Sequence, residues 1–164
     1  MHRVIAGLDW MSAAVARVTI GAIVLAASVM MTALILQVFS RYVLGATYVW
    51  TEELALLLFT WIVLLTATVC IRENSHVRLG LLVEAQAPVP RGVWPRVVAA
   101  LVLVFCLVLV SSGWDYLART TGRFSAAIRY PIEWLHAAAP VAGALGALHA
   151  LVRFLRPEGP GSAP

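Results

Sequence analysis

The sequence predicts an all-α integral membrane protein with four transmembrane helices, and two observations support this fold class. Hydrophobic residues make up 62% of the chain and charged residues only 12%, whereas soluble domains contain about 25% charged residues. Four apolar runs also have about the length that a helix needs to cross a bilayer, roughly 20 residues. They lie at 18–40, 54–71, 97–114 and 134–152. Because the connections between them are short, we expect a single membrane domain over residues 1–156.

The first apolar run is too long for the core of a cleaved signal peptide. Residues 18–40 carry no charge, whereas a secretory signal peptide has an apolar core of only about 7–15 residues. Arg41 and Tyr42 follow directly, and tyrosine is enriched where a helix leaves the membrane. We therefore expect a retained first transmembrane helix.

An acidic pair stands before the second apolar run. Trp50, Thr51, Glu52 and Glu53 directly precede residues 54–71. Thr51 is suited to cap the helix, and the positive end of the helix dipole favours carboxylates in the first turn. The second interpretation is that the carboxylates contact a partner at the membrane surface. The residues alone leave both interpretations open.

The middle and the far end of the second run carry further candidate contact residues. Trp61 lies in the middle of the run, away from the interface where tryptophan usually collects, so we expect it to face protein, in this chain or in a partner. Arg72 and His76 follow the run; we expect this lone histidine to be solvated or to cap a helix, and not to ligate a metal. Residues 77–84 are apolar with interspersed charges and predict a short interfacial helix in the connection.

Small residues recur every four positions in the last run, which predicts a face that another helix can approach closely. These residues are Ala138, Ala142, Gly146 and Ala150. Pro140 removes one backbone hydrogen bond, so we expect the helix to bend near His136. Residues 157–164 are rich in glycine and proline, and we expect them to form a disordered tail.

Arginine predicts the orientation, because the chain has no lysine and cytoplasmic loops of membrane proteins carry an excess of positive residues. With four spans, both termini and the 72–96 connection share one side, which carries eight arginines against four on the other. We therefore predict cytoplasmic termini, with Glu52 and Glu53 outside. The net charge of +4 then reflects topology and contact with membrane lipids, and not nucleic-acid binding.

The sequence lacks the motifs of an enzyme or of a cofactor site. No formal charge lies near the middle of a span, where it would indicate an ion or proton path, and no zincin, phosphate-loop or nucleophile-elbow motif occurs. Cys70 and Cys106 form no metal-ligand pattern. We predict a non-enzymatic accessory subunit without cofactors or metals. Two alternatives stay open: a membrane anchor of a redox enzyme, with His136 or His149 contacting haem, and a small oligomeric exporter.

Five short motifs stand at a specific spacing along the chain. They are Arg41-Tyr42, Trp50-Thr51-Glu52-Glu53-Leu54, Phe59-x-Trp61, Arg72-Glu73-x-x-His76-Val77 and Pro131-Ile132-Glu133-Trp134. Together with the layout of four spans, they resemble the small membrane subunit, the DctQ-like family, of tripartite ATP-independent periplasmic (TRAP) transporters.

The resemblance implies a scaffold role in the inner membrane of a bacterial cell. In such a transporter, a soluble periplasmic protein captures a small organic acid, and a large multi-span subunit moves it together with sodium. The small subunit packs against the large one and helps to dock the periplasmic binding protein. The residues expected to contact these partners are Arg41, Trp50, Glu52, Glu53, Trp61, Arg72, His76, Ala142 and Gly146.

Overall fold

The computed structural model describes residues 2–46, 48–73 and 93–155, and its regular structure is helical. Five helices follow each other along these residues. They are α1 (His2–Val43), α2 (Val49–Glu73), α3 (Val93–Thr120), α4 (Glu133–His136) and α5 (Ala138–Leu155). The predicted contact residue His76, the predicted interfacial helix at 77–84 and the predicted tail at 157–164 lie outside the described residues.

Four stretches of these helices are long and apolar enough to cross a membrane, which confirms the prediction of an all-helical chain with four candidate spans. The stretches are Asp9–Val43, Val49–Glu73, Arg96–Thr120 and Glu133–Leu155. The first helix is much longer than its apolar run, because α1 has 42 residues. At 1.5 Å per residue it is about 60 Å long, roughly twice the thickness of the hydrocarbon core.

The helices form an open row in the order α1, α2, α5, α3. The first helix packs on α2, α2 packs on α5, and α5 packs on α3. Within the described residues, α3 contacts neither α1 nor α2. The two ends of the row therefore present large apolar faces, with side chains such as Leu25 and Leu101 about two-thirds exposed. In a membrane, such faces are covered by lipid or by another membrane protein.

Glycines bring the backbones of α3 and α5 close together. A β-carbon at Gly143 would lie only 3.0 Å from the carbonyl oxygen of Cys106 and 3.0 Å from the backbone nitrogen of Val110. A β-carbon at Gly113 would lie 2.9 Å from the ring Cδ of Pro140. Only glycine allows this approach, which is typical of small-residue contacts between membrane helices.

The last span is interrupted near its start. Ala137 separates α4 from α5 and keeps a helical conformation, with φ −62° and ψ −20°. Pro140 has no N–H to donate to the carbonyl group of His136, so the hydrogen-bonding pattern of the helix is broken at this turn. The interruption therefore lies one residue beyond His136, where the sequence predicts a bend.

The start of α2 differs from the prediction. The helix begins at Val49, so Thr51 lies inside its first turn and is not the N-cap. The hydroxyl group of Thr51 donates a hydrogen bond to the carbonyl oxygen of Tyr48 at 2.7 Å, and its side chain is buried. The threonine therefore bonds backwards to the residue before the helix, where a cap would accept from the following turn.

Candidate functional site

Glu53 holds the connection between α3 and α4 against the start of α2. Its Oε2 atom accepts hydrogen bonds from the Ser125 hydroxyl at 2.6 Å and from the Ile128 N–H at 2.9 Å. Its Oε1 atom accepts a hydrogen bond from the Ala127 N–H at 2.8 Å. The carboxylate thereby satisfies three donors of a segment that is not helical, two of them backbone N–H groups that have no partner in a helix or a sheet.

This connection, residues 121–132, is itself ordered by backbone hydrogen bonds. The N–H of Ser125 donates to the carbonyl of Tyr130 at 2.9 Å, and the N–H of Ile132 donates to that of Arg123 at 2.9 Å. Arg129 adopts the left-handed conformation with φ 60°, which is uncommon for a residue other than glycine. We call residues 121–132 the capping segment, because they cover the first turns of α2.

Burial raises the pKa of the Tyr130 phenol, and the negative charge of Glu53 raises it further. Both causes favour the neutral phenol. The ionisation of Tyr130 depends on its burial and on Glu53, so its titration can be used to follow the structure of the capping segment.

Glu52 makes different contacts from its neighbour. Its Oε1 atom accepts a hydrogen bond from the Gln37 amide at 2.7 Å and lies 3.7 Å from Nη2 of Arg41. The side chains of Arg41 and Glu52 are 50% and 53% exposed, and exposed ion pairs contribute only about 0.2–1 kcal/mol. Arg41, Glu52 and the partly exposed Trp50 thus remain at the surface, where a partner can reach them.

Trp61, which the sequence predicts to face protein in this chain or in a partner, lies beside the start of α4 of the same chain. Its indole Nε1–H donates a hydrogen bond to the carbonyl oxygen of Trp134 at 2.9 Å. Glu53 precedes Trp61 by eight residues, or about 12 Å of helix. The first turns of α2 therefore extend beyond the start of α4, and the capping segment lies alongside these turns.

An open cleft lies beside this tryptophan contact. It has a volume of about 400 Å³ and is lined mainly by apolar surface. The lining residues are Trp61, Leu117, Thr121, Glu133, Trp134 and Ala137. Glu133 at its edge is engaged within the chain, because its Oε1 atom accepts a hydrogen bond from the Gly122 N–H at 2.8 Å.

Ala142 and Gly146, which the sequence predicts to contact the large subunit, lie inside the chain. The side chain of Ala142 is 3% exposed. A β-carbon at Gly146 would lie 2.8 Å from Sγ of Cys106 on α3 and 3.3 Å from Cδ1 of Ile71 on α2. The small-residue face of α5 therefore packs against helices of the same chain, and we leave both residues out of the proposed partner surface.

Arg72 also contacts residues of its own chain. Its Nη1 atom donates a hydrogen bond to Oγ of Ser12 at 2.9 Å, and the same Oγ lies 2.8 Å from Nδ1 of His149. Three helices thus meet in one polar cluster at the end of α2 opposite to Glu53. Sequence reasoning missed Ser12, and it considered His149 only as a haem ligand. The available signal was His149, a polar residue within the apolar part of α5.

No metal-binding arrangement occurs in the described part of the chain. Within residues 2–46, 48–73 and 93–155, no three histidine, cysteine, aspartate or glutamate side chains come together in a way that could hold a metal ion. The side chains identified above bind one another and the backbone.

The family was assigned by comparison with known proteins. Residues 30–158 match the family of tripartite ATP-independent periplasmic transporters, DctQ component. The chain belongs to the DctQ family. This DctQ chain is therefore a membrane protein and the small permease component of a TRAP transporter, and it is not an enzyme. The assignment replaces the two alternatives of a redox anchor and an exporter, and it implies the large DctM subunit and a periplasmic binding protein as partners.

A curated relative agrees with the family assignment. The DctQ chain is 24% identical over 120 residues to a protein of Haemophilus influenzae (strain ATCC 51907 / DSM 11121 / KW20 / Rd). That protein is described as a TRAP transporter small permease protein, and the match covers 73% of this chain and 74% of the relative. The match thus extends over most of both chains.

Proposed function

We propose that this chain is the static scaffold subunit of a sodium-coupled TRAP transporter that imports a small organic acid across the bacterial inner membrane. Its membership of the DctQ family carries the proposal. The open row of helices supports it, because the exposed apolar faces of α1 and α3 suit a large membrane partner. The scaffold role also agrees with the internal use of Glu53, Trp61, Arg72 and Gly146, which hold this chain together.

Co-purification tests this function. An affinity tag on this chain, extracted in mild detergent, should recover the large transport subunit in a stable complex. Uptake of a small organic acid by cells should then require this chain, the large subunit, the binding protein and a sodium gradient. Recovery of this chain alone, with uptake unchanged after its deletion, would contradict the proposal.

We propose that the termini lie in the cytoplasm and that the capping segment faces the periplasm, as the arginine distribution predicts. In a variant without Cys70 and Cys106, a cysteine at Phe124 should react with a membrane-impermeant thiol reagent in whole cells. Phe124 is suitable because its side chain is 64% exposed. A cysteine at Gln86 should react only after the cells are opened. The opposite pattern would reverse the orientation.

We further propose that the capping segment helps to dock the periplasmic binding protein through its positive charge. Arg119, Arg123 and Arg129 are exposed at this end, and none of them forms an ion pair within the described residues. Glu53 and Glu133 at the same end accept hydrogen bonds from the capping segment. These carboxylates are bonded within the chain, so the exposed guanidinium groups are the charges that can pair with an acidic surface on a partner.

Charge reversal tests the docking surface. Arg123→Glu should lower uptake severalfold, most strongly at a low concentration of binding protein, because it weakens an encounter between opposite charges. The complex with the large subunit should be recovered in normal amount. Arg17→Glu, an exposed arginine of α1, is the control and should leave docking unchanged. Equal uptake by both variants would exclude this part of the surface.

A further inference from the structure

Three polar side chains from three helices meet in a single cluster. Ser12 belongs to α1, Arg72 to α2 and His149 to α5. Ser12 and His149 are each only 1% exposed, and the Nε2 atom of His149 is buried without a hydrogen-bond partner among the described residues. The hydroxyl oxygen of Ser12 lies between its partners, 2.9 Å from Nη1 of Arg72 and 2.8 Å from Nδ1 of His149.

The proton positions in this cluster follow from its chemistry. A guanidinium group can only donate hydrogen bonds, so the oxygen of Ser12 accepts from Arg72. The single hydroxyl hydrogen of Ser12 is then free to donate to Nδ1 of His149. A hydroxyl oxygen can also accept two hydrogen bonds, so this is one of two arrangements that the geometry allows; in it Nδ1 is the acceptor and the proton of the neutral imidazole lies on Nε2.

The cluster joins helices that otherwise have little contact. The first helix packs mainly on α2 and touches α5 much less, and His149 with Ser12 forms a direct polar contact between α1 and α5. Hydrogen bonds between membrane helices and bonds from a charged donor both stabilise packing. The loss of one partner would leave a buried polar group unsatisfied, which costs more than the bond itself contributes.

We propose that Ser12, Arg72 and His149 form a polar clasp that fixes α1 against α2 and α5 and holds His149 as its Nε2-protonated tautomer. The clasp acts within this chain and does not depend on the partner subunits. It gives Arg72 a role in assembling the scaffold itself, in place of the partner contact expected from its position in the sequence.

A double-mutant cycle on the purified chain in detergent tests the clasp. Ser12→Ala and Arg72→Met should each lower the melting temperature by several degrees. The double variant should melt close to the more damaged single variant, because both changes remove the same interaction. Hydrogen exchange at the amides around Ser12 should accelerate in all three variants.

A control pair and one conservative variant complete the cycle. Ser28→Ala and Arg17→Met are the matched control pair, since both residues are exposed on α1 and the Ser28 hydroxyl bonds only to the carbonyl of Val24 in its own helix. These changes should be nearly neutral and additive. If Ser12→Ala does not fold, Ser12→Cys serves in its place, because it keeps a similar volume with a weaker hydrogen-bonding group. Ser12→Cys should fold and should have a lower melting temperature than the wild-type chain. Additive effects of Ser12 and Arg72, or a wild-type melting temperature for Ser12→Cys and Ser12→Ala, would overturn the clasp.

The tautomer has its own spectroscopic signature. In a sample with ¹⁵N-labelled histidine, the signal lost in His149→Gln should show a protonated Nε2 and an unprotonated Nδ1. In Ser12→Ala, where the donor to Nδ1 is absent, the Nδ1 signal should change. A His149 protonated on Nδ1 in the wild-type chain would overturn the proton assignment within the clasp.

Discussion

Gly146→Leu should prevent the helices of this chain from packing, so that little folded protein is recovered even without the large subunit. Even a β-carbon at this position would lie 2.8 Å from Sγ of Cys106 and 3.3 Å from Cδ1 of Ile71. A leucine places three further carbons in the same space, and overpacking typically costs about 1–3 kcal/mol, occasionally more. The amount of monodisperse protein after detergent extraction, and its melting temperature, measure the effect.

The same substitution at an open glycine is the control. A β-carbon at Gly21 on α1 would meet no atom within 4 Å, so Gly21→Leu should be neutral, or slightly stabilising because glycine is a poor helix former. Gly146→Ala should have a smaller effect than Gly146→Leu, because the side chain of Cys106 can shift. If Gly146→Leu yields normal amounts of the isolated chain and impairs only the complex, Gly146 faces the large subunit after all.

Gly143→Ala offers a stricter comparison within the same helix. Its new methyl group would meet the backbone of α3 at Cys106 and Val110, and a backbone cannot move aside as a side chain can.

The sequence predicted close packing of α5 correctly, because small residues at a four-residue spacing are visible without a structure. It could not predict the partner, since a small-residue face fits a neighbouring helix of the same chain as well as one of another subunit.

The spans were predictable because hydrophobicity is a local property of the sequence. The contacts that fix their relative positions were not, because they join residues far apart in the chain. Glu53 binds a segment more than 70 residues away, and Ser12 contacts a histidine 137 residues away. No periodic pattern in residues 121–132 predicts these hydrogen bonds. The bond between Trp61 and Trp134 was not predictable for the same reason, since an apolar run does not reveal which helix lies beside it.

Glu53→Gln should release the capping segment from α2, whereas Glu52→Gln should not. In Glu53, one carboxylate oxygen accepts two hydrogen bonds and the other accepts one. Glutamine replaces one of these oxygens with an NH₂ group. This group can only donate hydrogen bonds, so it would face the hydrogen-bond donors of the capping segment without accepting from them. Hydrogen exchange at the amides of Ala127 and Ile128 should accelerate severalfold, and unchanged exchange there would show that the carboxylate does not hold the segment.

Tyr130 provides an independent measure of the same release. Burial and the charge of Glu53 raise its pKa, so Glu53→Gln should lower that pKa towards the ordinary value of about 10. A raised phenol pKa means that the fold favours the neutral form, so the wild-type segment loses stability as the pH rises above the pKa of the unfolded chain. Ultraviolet titration of tyrosinate, with Tyr130→Phe to assign the signal, measures the shift.

Glu52→Gln should leave the Tyr130 titration unchanged, because Glu52 instead contacts Gln37 and Arg41. An equal shift in both variants would mean that general surface charge, and not the bonds of Glu53, controls the capping segment.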